Sequence, residues 1–237
     1  MTVVFPERVS LSIYRYGIFE PDLSLALVRL LEPGMTFYDV GAHIGYFSRL
    51  ASRLVGPAGQ VHSFEPTNAT YHVLHANLSG VPGSHANEAA VHRRNGTLSF
   101  TQYDSRFSAF NTASEARLEE EELAQALPRT VSVRSTSLDD YVSESGAPPH
   151  FVKIDAEGAE REILLGARET LEHHRPMLAM EVGDVGGTLE TVSRRLIDET
   201  VDLGYTAYEV AARDLRVHHP QERYEYQNLI FLPRLAT

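Results

Sequence analysis

Cysteine is missing from all 237 residues. That excludes disulfides, thiolate metal sites and thiol catalysis, and it fits a cytoplasmic protein. Positive charge is also scarce: 21 basic residues stand against 32 acidic ones, a formal net charge of -11. Phosphate binding needs a basic face, so nucleic acid is not an expected partner. Part of the acidic excess is one local run, Glu119 to Glu122, read as a solvated helix face. No stretch approaches the roughly 18 consecutive apolar residues of a membrane span, so no membrane partner is expected either. Residues 1–10 include Glu7 and Arg8 and lack an apolar core, which does not read as a signal peptide. There is no internal repeat and no low-complexity linker. The apolar content of 43% and the length suit one domain, 1–237, with a substantial core.

One further absence is more telling. Phe37 to Ser48 (Phe-Tyr-Asp-Val-Gly-Ala-His-Ile-Gly-Tyr-Phe-Ser) reads as a buried strand, an acidic residue at its tip, a glycine turn and a helix. A dinucleotide site there needs Gly-x-Gly-x-x-Gly, with the pyrophosphate on the helix start. Only Gly41 and Gly45 are present, and Asp39 stands two residues before the first. A carboxylate repels phosphate but accepts hydrogen bonds from an ammonium group. The ligand that fits is cationic and free of phosphate, and S-adenosylmethionine (SAM) has that character. A second strand, Gln60 to Phe64, ends at Glu65, twenty residues after Gly45. An acidic residue there takes ribose hydroxyls. It signals adenosine without choosing between SAM and NAD; the choice rests on Asp39 and the missing glycine. The bland alternative is an ordinary strand-to-helix turn.

Around these motifs the apolar spacing predicts alternating strands and helices. Residues 1–19 read as a short mixed cap, and a helix from Pro21 reaches Pro33. Strands are expected at 36–40, 60–65, 87–91, 97–101, 130–135, 150–154, 177–181, 205–210 and 226–232. Helices are expected at 44–55, 67–79, 138–142, 157–173 and 189–203. Residues 102–129 read as an insertion. The implied architecture is α/β and Rossmann-like: a mostly parallel sheet with helices on both faces and an antiparallel edge from the closing strand pair. Ligands of such sheets sit beyond the carboxyl ends of the strands. Asp39, Glu65, Asp155 and Glu181 all fall on that rim.

The densest polar cluster is Phe151 to Glu160, which contains Lys153 and Asp155. A lysine inside a strand is costly unless paired, and Asp155 or Glu181 are its expected partners. Methyl transfer needs an in-line approach and somewhere for a proton to go. Asp155, Lys153, Glu181 and His43 are the candidates to receive or orient that proton. Each has a structural reading beside it: an ion pair for Lys153 and Asp155, a cap on loop amides for Glu181, and a border to the cofactor for His43. Glu157 and Glu160 read as first-turn carboxylates that suit the helix dipole. Asp155 and Glu181, about 5 Å apart on neighbouring strands, are oxygen ligands suited to Mg²⁺, but two carboxylates alone make an incomplete site.

The residues resemble the FkbM-type SAM-dependent methyltransferases. The match runs through Asp39 to Ser48, Phe64-Glu65-Pro66, Asn87 to Ala90, Ser137 to Tyr141, Lys153-Ile-Asp-Ala-Glu-Gly-Ala-Glu160, Leu165 to Ala167 and the Glu181 strand. The resemblance implies a seven-stranded class I methyltransferase fold and mostly O-methylation of polyketides, sugars or other natural products; some relatives act on nitrogen. It implies a cofactor site of Asp39, Gly41, Ala42, His43, Gly45, Glu65, Pro66, Asn87, Glu88 and Asp155. His43 departs from the asparagine usual in the family, keeping its hydrogen-bonding role or adding a base. The first 19 residues and 102–129 follow no strong family pattern, so they are expected to choose a small-molecule acceptor. The insertion mixes Tyr103, Phe107 and Phe110 with Ser105, Ser108 and Asn111, which suits a lid; a surface helix or homodimer contact is the alternative. The rival readings of the whole chain are a nicotinamide oxidoreductase, an N-methyltransferase and a non-catalytic SAM-binding protein.

Overall fold

The computed structural model describes residues 1–103, 108, 109, 111, 112, 127–184, 192–211 and 214–234. Two helices come first, α1 (Arg8–Tyr16) and α2 (Pro21–Leu30). α1 arises in a segment whose composition signals no helix. Glu7 makes it: its carboxylate accepts from the amides of Val9 and Ser10, each at 2.7 Å, and Gly17 ends the helix in left-handed backbone. Next are β1 (Thr36–Val40), α3 (Tyr46–Val55), β2 (Gln60–Phe64), α4 (Asn68–Leu78) and β3 (Ser84–Asn87). β4 (Ala90–Val91), β5 (Gly96–Gln102) and β6 (Arg129–Thr136) follow, then α5 (Leu138–Ser145) and β7 (Phe151–Ile154). The remainder is α6 (Glu160–Leu165), α7 (Arg168–His173), β8 (Met177–Val182), α8 (Val192–Asp202), β9 (Tyr205–Ala211), β10 (Asp214–Val217) and β11 (Gln227–Pro233).

Among the described residues the main sheet has eight strands in the order β10-β9-β11-β8-β7-β1-β2-β3, and β8, β7, β1, β2 and β3 run parallel. Seven strands with an antiparallel edge strand are expected from the sequence, and the structure differs. The closing strand β11 is not the edge. It inserts antiparallel between β8 and β9, and Leu229, Ile230 and Phe231 are fully buried there. The edge is β10, which escapes a sequence reading because its four residues, Asp-Leu-Arg-Val, are mostly exposed and too few for a pattern. The expected strand at 87–91 is two strands. β3 ends at Asn87, and β4 joins β6 and β5 in a separate three-stranded sheet. The expected helix at 157–173 breaks at Gly166, where a side chain would meet the carbonyl oxygen of His92 at 2.3 Å.

Side chains alternate across the sheet. Phe37 and Phe151 pack on the α2–α3 side with Leu23, Leu27 and Phe47, while Tyr38, Val152 and Ile154 pack on the other side against α5 to α8. Burial of both faces is what a parallel sheet requires. From β1 the chain runs outward to β2 and β3, then crosses to β7 on the opposite flank of β1. The switch point therefore lies beyond the ends of β1 and β7, where open α/β sheets bind ligands.

A polar cluster sits under β2. His62 is buried, stacks on His85 at 4.5 Å and lies 4.9 Å from the Tyr38 ring. Its Nε2 is 3.1 Å from Gln60 Oε1, which only accepts, and its Nδ1 is 2.8 Å from the Tyr141 hydroxyl. The neutral ring, protonated on Nε2, satisfies both. Burial, reinforced by His85, lowers the His62 pKa from 6.5 to about 4. The folded state thus resists protonation that the unfolded chain accepts. This contribution to stability is whole above pH 6.5 and is lost as the pH falls towards 4. Urea unfolding at pH 7 and pH 5 should show a loss of about 2 kcal/mol from this residue, and His62→Gln should flatten the difference by that amount.

Candidate active site

A cavity of about 300 Å³ opens at the switch point. Val40, Gly41, Ala42 and His43 line it from the end of β1, and Phe64, Glu65 and Pro66 from the end of β2. Lys153, Asp155, Ala156 and Glu157 enter from β7, and Glu181 from β8. Arg8, Val9, Phe19 and Glu20 close one side, and Ser108, Ala109 and Asn111 of the insertion another. Residues 104–107, 110 and 113–126, including Ser105, Phe107, Phe110 and the Glu119–Glu122 run, lie outside the described residues.

The glycine turn is tighter than its sequence suggests. Gly41 has φ +74°, and a side chain there would lie 1.7 Å from the carbonyl oxygen of Asp155. Only a bare backbone lets the β1 exit pass the β7 exit this closely. The amides of Gly41 and Ala42 both donate to the Phe64 carbonyl, at 3.1 and 2.9 Å, and the Gly45 amide donates to Ala42. The His43 amide donates to Glu65 Oε2 at 3.2 Å. None of these four amides is left to cradle a phosphate. Glu65 is buried, and its Oε1 accepts from the amide and hydroxyl of Thr67. Burial raises its pKa against the pull of His43 and Thr67.

The electrostatic centre is Lys153. It stands directly across from Asp39 in the β1–β7 register and is buried. Its ammonium lies 3.0 Å from Asp155 Oδ2, 3.6 Å from Asp39 Oδ1 and 5.1 Å from the centre of the Phe47 ring. Burial alone would depress its pKa; Asp155, Asp39 and Glu20 outweigh burial and raise it, so the charge is locked on. Asp39 Oδ2 accepts from Ser48 at 2.6 Å, and Ser63 donates to Ser48 at 2.8 Å. A hydrogen-bonded line thus runs behind the cavity wall from β2 through α3 to β1.

The structure gathers Gly41, Ala42, His43, Glu65, Pro66, Lys153, Asp155 and Glu181 around one cavity, with Gly45 packed behind it against Leu74. Besides Gly45, three more expected cofactor residues are not among its lining residues. Asp39 is turned into the ion pair with Lys153. Asn87 donates to the Ser63 carbonyl and the Tyr141 hydroxyl, and Glu88 is exposed and accepts from Asn68. His43 does not start a helix: α3 begins at Tyr46, and His43 sits in the turn with φ 48°. Its Nε2 is 3.0 Å from Ser108 Oγ. Glu160 is buried and accepts from the amides of Ala156 and Gly158, bracing the turn that displays Glu157. Asp155, Glu157 and Glu181 offer oxygens within 4.8 Å of one another, so Glu157 adds a third carboxylate to the expected pair.

Glu20 is the residue that sequence reading missed. It lies between the segment read as a cap and the helix expected from Pro21, and no motif marks it. Its Oε2 accepts from Asn228 Nδ2 at 2.8 Å. Burial, followed by the charge of Asp155, pushes its pKa up to about 7 against the opposing pull of Lys153 and Asn228.

Known proteins resemble this chain in sequence and in fold. The family model "Methyltransferase FkbM domain" matches residues 39–206, from the tip of β1 into β9. The 31-O-demethyl-FK506 methyltransferase FkbM of Streptomyces tacrolimicus is 32% identical over 185 residues, covering 68% of this chain and 70% of that protein. The 2-O-methyltransferase NoeI of Sinorhizobium fredii (strain NBRC 101917 / NGR234) is 28% identical over 171 residues, covering 67% and 70%. The crystal structure of methyltransferase FkbM from Methylobacillus flagellatus KT superposes with a TM-score of 0.50 at 14% identity, over 94% of this chain and 59% of that one. The fold is therefore that of a class I methyltransferase, and the chain belongs to the FkbM methyltransferase family.

Proposed function

We propose that this chain is a SAM-dependent methyltransferase acting on a hydroxyl of a small-molecule natural product. The observation that carries the reading is the charge of the cavity. Glu20, Glu65, Asp155, Glu157 and Glu181 line it, against Lys153 and Arg8 as the cationic side chains, and Phe19, Tyr46, Phe47, Phe64 and Phe100 supply aromatic wall. A cationic ligand with an aromatic base suits such a site, and the spent amides of the glycine turn disfavour a pyrophosphate. SAM fits: when bound, it supplies an electrophilic methyl group on a sulfonium. Both curated relatives carry O-methylation in their names, which favours oxygen over nitrogen as the acceptor atom.

The chain's own residues then divide the work. Gly41, Ala42, His43 and Pro66 form the wall against the cofactor. Glu65 Oε2 keeps a lone pair for the ribose hydroxyls beside its bond to His43. Asp39 acts through Lys153 rather than by touching the ligand. Lys153, held charged, orients Asp155 and accepts no proton near neutrality. Ser108 and Asn111 from the insertion, with Arg8 and Val9 from the N-terminal cap, line the cavity, which supports their choosing the acceptor. Asn87 and Glu88 receive no role at the ligand.

Calorimetric titration should show binding of SAM and of its demethylated product, with NAD bound poorly. Glu65→Ala should weaken SAM by about 1–3 kcal/mol, roughly 5- to 150-fold in Kd; an unchanged Kd would remove the ribose assignment. Turnover after exhaustive chelation should stay within about twofold of the untreated enzyme, because Lys153 already supplies the fixed cation beside Asp155. A loss restored by Mg²⁺ would instead make the Asp155–Glu157–Glu181 trio a metal site.

A further inference from the structure

Glu20 carries three features that its position in the chain does not explain. It precedes α2 at the N-cap, yet its side chain makes no capping bond. Its backbone is left-handed, with φ 41° and ψ 75°, a conformation that a non-glycine residue adopts only at an energetic penalty. The side chain instead enters the cavity and reaches across to Asn228 on β11. Asn228 in turn stands opposite Glu181 in the β8–β11 register. A cap and a relaxed backbone are both forgone to hold one carboxyl against the ligand space. Such an outlier is a reason to look for a task at that residue.

The reaction needs a place for one proton. An acceptor hydroxyl must lose it as its oxygen takes the methyl group. Lys153 is already protonated, Asp155 Oδ2 is engaged by Lys153, and His43 Nε2 is engaged by Ser108. We propose that Glu20 is the proton acceptor of the methyl transfer, with Asn228 as its positioning residue. This rests on the methyltransferase reading above. In the step, the acceptor O–H proton passes to a Glu20 oxygen. The lone pair of the acceptor oxygen forms the new O–CH₃ bond, and the carbon–sulfur pair returns to sulfur. Glu20 then releases its proton to solvent.

The environment suits the task. The charges of Lys153 on β7, Asp155 just beyond it and Asp39 on β1 act on the Glu20 carboxyl, and Glu181 of β8, Glu157, Arg8 of α1 and Tyr46 of α3 line the same cavity. Burial and Asp155 favour the protonated form, while Lys153 and Asn228 favour the ionised form. The balance near pH 7 matches a general base to its working pH.

Two measurements test the proposal. The first needs no acceptor: carbon-13 spectra of the ligand-free protein, labelled at glutamate carboxyls, are recorded across pH. A resonance titrating near pH 7 should vanish in Glu20→Gln and move to higher pH in Asn228→Leu, which removes a bond to the ionised form. Titration of Glu20 below about pH 5.5 overturns the proposal. The second measures SAM-dependent methylation of a panel of hydroxylated polyketides and sugars. Glu20→Gln should lower kcat about 100-fold or more with SAM Kd within about twofold, and Glu20→Asp should restore part of the rate along with the acid limb of the pH profile. Turnover that survives Glu20→Gln with an unchanged acid limb overturns this proposal alone. A wild-type protein that does not bind SAM overturns the methyltransferase reading and this one with it.

Discussion

Lys153 is a buried ammonium on a central strand of a parallel sheet, and the site is organised around keeping it paired. Taking such a charge out of water costs several kcal/mol unless the geometry of its partners is good. Asp155 and Asp39 meet that need from the end of its own strand and from the strand beside it. The two contacts join β1 to β7 at the point where the chain reverses its direction across the sheet. Removing either carboxylate would leave the ammonium short of a partner, a change of about 3–5 kcal/mol at buried pairs. The pair therefore sets the spacing of the two strand ends beyond which the cavity opens. Ser48 and Ser63 extend the same hold into α3 and β2.

The loops above this pair are bent further than most chains tolerate. Glu20, His43 and Glu157 all occupy left-handed backbone, and all three line the cavity. Non-glycine residues persist there when surrounding contacts over-determine them. Each has such contacts: Asn228 for Glu20, Glu65 and Ser108 for His43, and the brace from Glu160 beneath the turn of Glu157. The result is a ring of carboxylates presented around one ammonium. A site with this balance draws in cations, and its charge deters phosphates before any hydrogen bond is formed.

Where side chains repeat with a period, the sequence sufficed. Short runs rich in apolar residues mark β1, β2, β7 and β8 to within a residue or two, although Asp39, His62, Lys153 and Glu181 interrupt them. Gly41, Gly45, Glu65 and Asp155 are legible because turns and strand tips demand particular residue types at fixed spacing. The short edge strand β10 and the insertion of β11 between β8 and β9 were not, since pairing partners are chosen by tertiary packing. Nor was α1, whose helix depends on the cap from Glu7.

The acidic rim, the want of a third glycine and the family pattern were thus written in the order of residues, and they determined the fold class and the kind of ligand. Direction was decided only in three dimensions. Asp39 reads as a ligand contact along the chain, but Lys153 across the ladder turns it inward. Glu20 carries no motif, and it joins Asn228 from more than two hundred residues away because β11 is threaded into the middle of the sheet. Sequence spacing records which residues share a strand or a turn; which carboxylate is buried, charged or left facing the ligand depends on neighbours that only the folded sheet brings together.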